Sequence, residues 1–151
     1  MSEDKIVATN RQARFNYYLS DNIEAGIELK GTEVKSLRAG QANLKDSFAK
    51  VENGEMWLYN AHIAPYAFGN IANVEAVRPR KLLLHKRQIK KLGEELAIKN
   101  ITLVPTKIYF KNGRAKVEIA LAKGKKAYDK RDSIRQRESD MEVRRAMKGG
   151  R

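Results

Sequence analysis

Aromatic rings lie among cations at two places in this chain. Arg11, Arg14, Phe15, Tyr17 and Tyr18 stand near the start, and Lys123, Lys125, Lys126, Tyr128, Lys130 and Arg131 near the end. Unpaired bases stack on such rings at about 1–3 kcal/mol each while cations hold the backbone, so the chemistry indicated is binding of unpaired RNA. Core packing is the competing account for Phe15 and Tyr17. Tyr128 differs, because it falls in the charged stretch Gly124-Lys125-Lys126-Ala127-Tyr128-Asp129-Lys130-Arg131, beyond the last strand pattern. Stacking is the favoured role there.

Catalytic constellations are sparse. His62 and His85 have no partner at metal-ligand spacing. Gly124-Lys125 is followed by Lys126, with Ile119 where a phosphate-binding loop needs its first glycine, and no dinucleotide fingerprint occurs. Asn100-Ile101-Thr102 matches a glycosylation acceptor, which a cytosolic chain would not use. Glu24, Glu28, Glu33, Asp46, Glu52 and Glu55 are dispersed. Two of them meeting in space would make a metal-dependent barrel nuclease, the enzymatic alternative. Non-enzymatic binding, with no cofactor and no small-molecule substrate, is the expectation.

The whole-chain charge agrees with a polyanionic partner. Lysine and arginine total 31 against 18 acids, a net charge of +13 over 151 residues, and a polyanion relieves that self-repulsion. Cysteine is absent, which removes disulfides and thiolate metal sites. Uninterrupted apolar runs reach four residues, as in Met56-Trp57-Leu58-Tyr59, too few to span a bilayer. The polar start, Met1-Ser2-Glu3-Asp4-Lys5, lacks a signal peptide's apolar run. A cytoplasmic protein with no membrane partner is expected.

The elements that must position these residues are mostly strands. Ala115, Val117, Ile119 and Leu121 alternate with Arg114, Lys116 and Glu118. Val104, Ile108 and Phe110 are expected to share a face ahead of the Asn112-Gly113 turn, with an edge or bulge at Pro105. Residues 46–52 and 56–63 form a second hairpin around Asn53-Gly54, with Trp57, Tyr59, Ala61 and Ile63 on one face. Further strands are expected at 15–19 and 23–30, and a long loop at 65–81. Ile89, Leu92 and Leu96 mark a short helix over 84–97, and Thr32 caps a shorter one over 33–38 that stops at Gly40. Short strands with one or two small helices make a mainly β, OB-fold-like antiparallel barrel.

Three regions follow: a polar arm over 1–9, the barrel over 10–122, and a basic tail over 123–151. The tail holds eleven Lys/Arg and five Asp/Glu, with few large apolar side chains. Ser133 and Gln136 match a capping box, so 134–147 can turn helical, placing Lys130, Arg137, Arg144 and Arg151 on one slowly drifting stripe. Free in water this segment is expected to be disordered and to fold when phosphates neutralise the stripe. A merely solubilising tail is the other account.

Three separated blocks carry a resemblance. Gly31-Thr32-Glu33-Val34-Lys35-Ser36-Leu37-Arg38, Arg80-Lys81-Leu82-Leu83-Leu84-His85 and Ala122 through Arg131 resemble the SsrA-binding protein (small protein B) family, in order and over nearly the whole chain. The resemblance implies an OB-type barrel that binds the tRNA-like domain of transfer-messenger RNA. It also implies delivery of that RNA to the small subunit of bacterial ribosomes stalled on messages lacking a stop codon. Glu24, Leu83 and Lys116 match family positions on the RNA-binding surface. Lys35 and Arg38, the cations of the first block, join Arg11 and Arg14 as further candidates. Glu24 either accepts from a base amino group, orients a cation or forms a structural salt bridge. Leu83 is either an apolar platform or core. Tyr128, Asp129, Lys130 and Arg131 resemble the family segment that enters the decoding centre and the empty message channel, and Lys123, Lys125, Lys126, Arg137 and Arg144 are further candidates of the same tail. Tyr128 stands where many members have histidine, and Gln12 where a basic residue is common. A general ribosomal or single-strand RNA-binding protein is the alternative function.

Overall fold

The computed structural model describes residues 5–66, 74–98, 100–125 and 131. In chain order these form β1 (Lys5–Thr9), α1 (Arg11–Asn16), β2 (Tyr17–Ile27), α2 (Gly31–Arg38), β3 (Ala42–Asn43), β4 (Phe48–Glu52), β5 (Glu55–Tyr59), β6 (His62–Ile63), β7 (Arg80–Leu83), α3 (Lys86–Leu96), β8 (Ile101–Lys111) and β9 (Arg114–Gly124). Strands β8, β4, β5, β7, β2 and β9 pair antiparallel in that cyclic order, and β9 returns to β8. The ring is closed, an OB-like barrel, and closure leaves these strands no free edge along the seam. Among the described residues no helix is long and apolar enough to cross a membrane.

Both expected hairpins form on two-residue turns. Asn53 and Gly54 (φ 51° and 75°) and Asn112 and Gly113 (φ 52° and 77°) take the left-handed conformations that such turns require. Leu58, Leu82, Leu103, Ile108, Val117 and Ile119 fill the barrel, all nearly inaccessible. Ala115, Val117, Ile119 and Leu121 face this core together, as their alternation predicts.

Several expectations need correction, each for a local reason. The register of β8 against β9 shifts between Pro105 and Lys107, and one extra residue reverses the faces. Leu103 before the bulge and Ile108 and Phe110 after it therefore point inward, while Val104 packs beneath α1 with Ala13 and Ala122. Asn60 (φ 63°) ends β5, so Met56 and Leu58 are the buried pair there, with Trp57 and Tyr59 outside and half-buried. Ala61 and Ile63 regain the interior only beyond that break.

Strand forms at 17–19 and 23–27 as expected, but as parts of one continuous element, β2, while residues 15–16 close the preceding helix and 28–30 lie past the strand. Asn10 makes the helix possible. Its side chain accepts from the Ala13 N–H at 3.1 Å and donates to the Pro105 carbonyl at 2.9 Å, tying α1 to the bulge. Helix α2 is capped at Lys30 and begins at Gly31, earlier than a Thr32 cap would allow, because Glu33 accepts a hydrogen bond from the Lys30 N–H at 2.8 Å. It stops near Gly40 (φ 74°) as expected. Residues 5–9, grouped with the polar arm, pair with β8 as β1, and Val7 and Ala8 pack on the core. Strand β9 reaches Gly124, two residues past the expected barrel limit, and β7 begins at Arg80 within the expected loop. The expected tail helix over 134–147 lies outside the described residues.

One buried ionic cluster joins the first two resemblance blocks. Arg80 is fully buried and donates to Glu33 at 2.5 Å, to the Ala61 carbonyl at 2.7 Å and to the Ala76 carbonyl at 2.9 Å. Arg78 adds two hydrogen bonds to the same carboxylate, at 2.5 and 3.1 Å. Burial alone would push the Glu33 carboxyl up, but the bonds from Arg78, the Lys30 N–H and Arg80 outweigh it and hold its pKa below the ordinary value. These block residues lock α2 onto β7, so part of the resemblance is architectural.

Candidate nucleic-acid interface

Glu24, Leu83 and Lys116 are 59 and 33 residues apart in sequence and line one groove. Strand register brings them together. Gly26 of β2 pairs with Leu83 of β7 on one side and with Lys116 of β9 on the other, so the three strands lie in adjacent rows about 4.8 Å apart. Ala25 and Ile27 face the core, which turns Glu24 and Gly26 outward. A Cβ on Gly26 would come within 3.2 Å of the Leu83 Cβ, so the glycine leaves room for the leucine beside it.

Leu83 is 51% exposed, whereas its neighbour Leu82 is buried in the barrel. The core alternative for Leu83 is therefore ruled out, and an apolar side chain stands open on a charged surface. Glu24 receives a hydrogen bond from the Tyr109 hydroxyl at 2.6 Å and one from Lys111 Nζ at 3.4 Å, both at Oε2. The Tyr109 bond is the chief cause that holds the Glu24 pKa below its ordinary value, against modest desolvation and with help from Lys111 and Lys116. Glu24 is thus a fixed carboxylate that also makes a surface ion pair. Among the described residues its Oε1 takes no hydrogen bond and remains able to accept one.

Tyr109 and Lys111 escaped the sequence reading, although a signal existed. The Asn112-Gly113 turn fixes Tyr109 opposite Lys116 once the hairpin is assumed. The groove also gains Lys81, His85 and Lys86 from β7 and the start of α3. Tyr109→Phe should return the Glu24 pKa toward its ordinary value without unfolding the barrel, as followed by NMR titration of the carboxyl carbon. An unchanged titration would remove Tyr109 as the group that sets Glu24.

The other candidates fall in separate places. Arg14, Tyr18 and Lys125 border a second depression along the β2–β9 pair, which Asn22 and Glu118 also line; Tyr18 stands eight residues along β2 from Gly26. Lys125 Nζ lies 5.1 Å from the centre of the Tyr18 ring, and donates to the Arg14 carbonyl at 3.2 Å. Tyr18 is half exposed with Lys125 over its ring, whereas Tyr17 packs beside Ala13 and Val104. Core packing is therefore the account that holds for Tyr17, and Phe15 is half-buried. Arg11 is exposed on α1. On α2, Lys35 stands 5.4 Å from the Tyr66 ring and Arg38 stands 4.9 Å from the Phe110 ring, both exposed. Lys123 and Arg131 are exposed. Lys126, Tyr128, Asp129, Lys130, Arg137 and Arg144 lie outside the described residues. Among the described residues no group of three His, Asp or Glu is placed to hold a metal ion.

Comparison with known proteins agrees with this geometry. A family model described as SmpB protein matches residues 7–149. The SsrA-binding protein of Caldicellulosiruptor bescii is 59% identical over 144 residues, covering 95% of this chain and 91% of the relative. That of Desulforudis audaxviator is 58% identical over 146 residues, covering 97% and 95%. A solved chain, from work on tmRNA-SmpB and the center of the bacterial ribosome, superposes with a TM-score of 0.68 at 54% identity. That match covers 80% of this chain and 85% of the solved one. Sequence blocks, barrel and relatives agree, and the chain belongs to the SmpB protein family.

Proposed function

We propose that this chain binds the tRNA-like domain of transfer-messenger RNA on the Glu24–Leu83–Lys116 groove and delivers it to stalled ribosomes in the cytoplasm. The observation that carries the reading is the convergence, by strand register, of three residues distant in sequence on one open surface. The names of the relatives and of the solved chain support the choice of RNA and of the ribosome. The role is binding, without catalysis.

Each groove residue has a distinct part. Lys116 neutralises a phosphate, which positions the RNA without reading its sequence. Leu83 seats the apolar face of a base or ribose. Glu24 repels phosphate, so its Oε1 selects a donor such as a base amino group or a 2′-hydroxyl. A general single-strand binder has little use for an acid held ionised at the centre of its site. Arg11, Arg14, Tyr18, Lys35 and Arg38 supply phosphate and stacking contacts outside the groove. The segment from Lys123 through Arg144, with Tyr128, Asp129, Lys130 and Arg131 at its start, follows the decoding centre and the empty message channel.

The test is binding of the isolated tRNA-like domain as salt is varied. A protein making 6–10 phosphate contacts loses about 10³–10⁵ in affinity between 50 and 200 mM salt. A loss of that order is expected here, and Lys116→Ala should reduce affinity at every salt concentration. Salt-independent binding would sink the electrostatic part of the proposal.

A further inference from the structure

Helix α3 has a charge arrangement that its own stability does not explain. Lys86, Arg87, Lys90 and Lys91 crowd its N-terminal half, whereas Glu94 and Glu95 follow in its C-terminal half. The first turn has no acid and the last turn no base, the reverse of what the helix macrodipole favours. Lys90 and Lys91 also precede Glu94 and Glu95 by four residues, the weaker order for a helical charge pair.

All four cations are exposed, and among the described residues none forms an ion pair. Ile89 and Leu92 anchor the opposite face of the helix in the barrel core, so the cationic face is held outward. Lys86 lines the same groove as Glu24, Leu83 and Lys116. The charged face is therefore continuous with that groove.

We propose that the outward face of α3, through Lys86, Arg87, Lys90 and Lys91, binds phosphates of the same RNA molecule that occupies the groove. The proposal rests on the RNA-binding reading of the groove and extends its footprint along the helix. Charge complementarity and continuity with the groove select RNA as the occupant. The helix accepts an unfavourable order of charges because those charges face a polyanion.

The test is an Arg87→Gln, Lys90→Gln, Lys91→Gln triple variant of the full chain, which spares Lys86 because it lines the groove. Affinity for the isolated tRNA-like domain at 150 mM salt should fall about tenfold or more. The slope of log affinity against log salt should become shallower by about 2, since each phosphate contact contributes roughly 0.7–0.9. The thermal midpoint should stay constant or rise, because cations are removed from the positive end of the helix. An unchanged affinity and slope, in a setting where Lys116→Ala still weakens binding, would overturn the α3 surface and leave the groove intact. A lowered midpoint with an unchanged slope would assign the cations to helix stability and also overturn it. If the native chain and both variants bound this RNA alike, the groove reading itself would fail.

Discussion

Truncation after Lys125 is expected to abolish peptide tagging on stalled ribosomes while the tRNA-like domain is still bound within about tenfold of the native affinity. Lys125 is the right boundary. Its backbone N–H donates to the Asn16 carbonyl at 2.9 Å and its side chain covers Tyr18, so a cut before it would damage the barrel. The removed segment holds nine Lys/Arg and five Asp/Glu, enough to lower affinity by general attraction, while Glu24, Leu83 and Lys116 all remain in the shortened chain. Binding is followed by gel shift, and tagging by incorporation of the tag peptide in a reconstituted translation reaction. Equal loss in both assays would mean that the tail belongs to the RNA site, and the division of labour would be wrong. Tyr128→Ala in the full chain refines the result, because a stacking ring predicts lost tagging with unchanged stability.

Glu33→Ala is expected to cost about 3–5 kcal/mol, the usual penalty for leaving one partner of a buried ion pair uncompensated. Arg80 is fully buried and would keep its charge with only carbonyl oxygens as partners. At roughly 2–4 °C per kcal/mol for a chain of this size, the thermal midpoint should fall by about 6–20 °C. The acid response gives an independent check. Because the folded Glu33 pKa lies below its unfolded value, its contribution is complete above roughly pH 4.3 and is lost as pH falls through the folded pKa. Glu33→Gln should therefore flatten the loss of stability on acidification, measured by urea melts between neutral and acidic pH. A Glu33→Ala midpoint within 2 °C of native would show that the cluster holds nothing together.

Much of this is legible in the sequence, and the failures share one cause. Alternation identified the inward face of β9, and Asn-Gly pairs located both hairpins, because each signal is local to a few residues. Face assignment failed wherever a single residue breaks the period of two. Pro105 marks an edge or a bulge in the sequence, yet its effect on Val104 depends on whether the count gains one residue, which composition does not state. Asn60 has no such signature, since its positive φ serves the passage from β5 to β6. Helix α1 was missed because six residues with one buried apolar side chain, Ala13, give too little periodicity. Asn10 caps α1 through the Ala13 N–H, and the bond that holds this side chain in place runs to Pro105, 95 residues away.

The site shows the same division. Glu24, Leu83 and Lys116 came from the family resemblance, whereas strand pairing explains why they meet. Leu83 looked like core within Leu82-Leu83-Leu84 because three adjacent leucines give no clue to which one faces outward. Pairing with Gly26 decides it. Glu33 stands in the sequence only as one residue of the Gly31–Arg38 block and one of the dispersed acids, and its burial with Arg80 reveals a structural post beneath α2. Tyr109 shows that a buried aromatic on a strand can fix a surface carboxylate from the side.

Selective recognition of the tRNA-like domain of transfer-messenger RNA is the central claim, and competition tests it most directly. The full chain is bound to the labelled domain at 150 mM salt, and excess ordinary tRNA is added. A complex that survives a hundredfold excess, and that Lys116→Ala weakens, is the predicted result. Equal displacement by ordinary tRNA would contradict selective recognition and reduce the groove to a general basic RNA-binding surface.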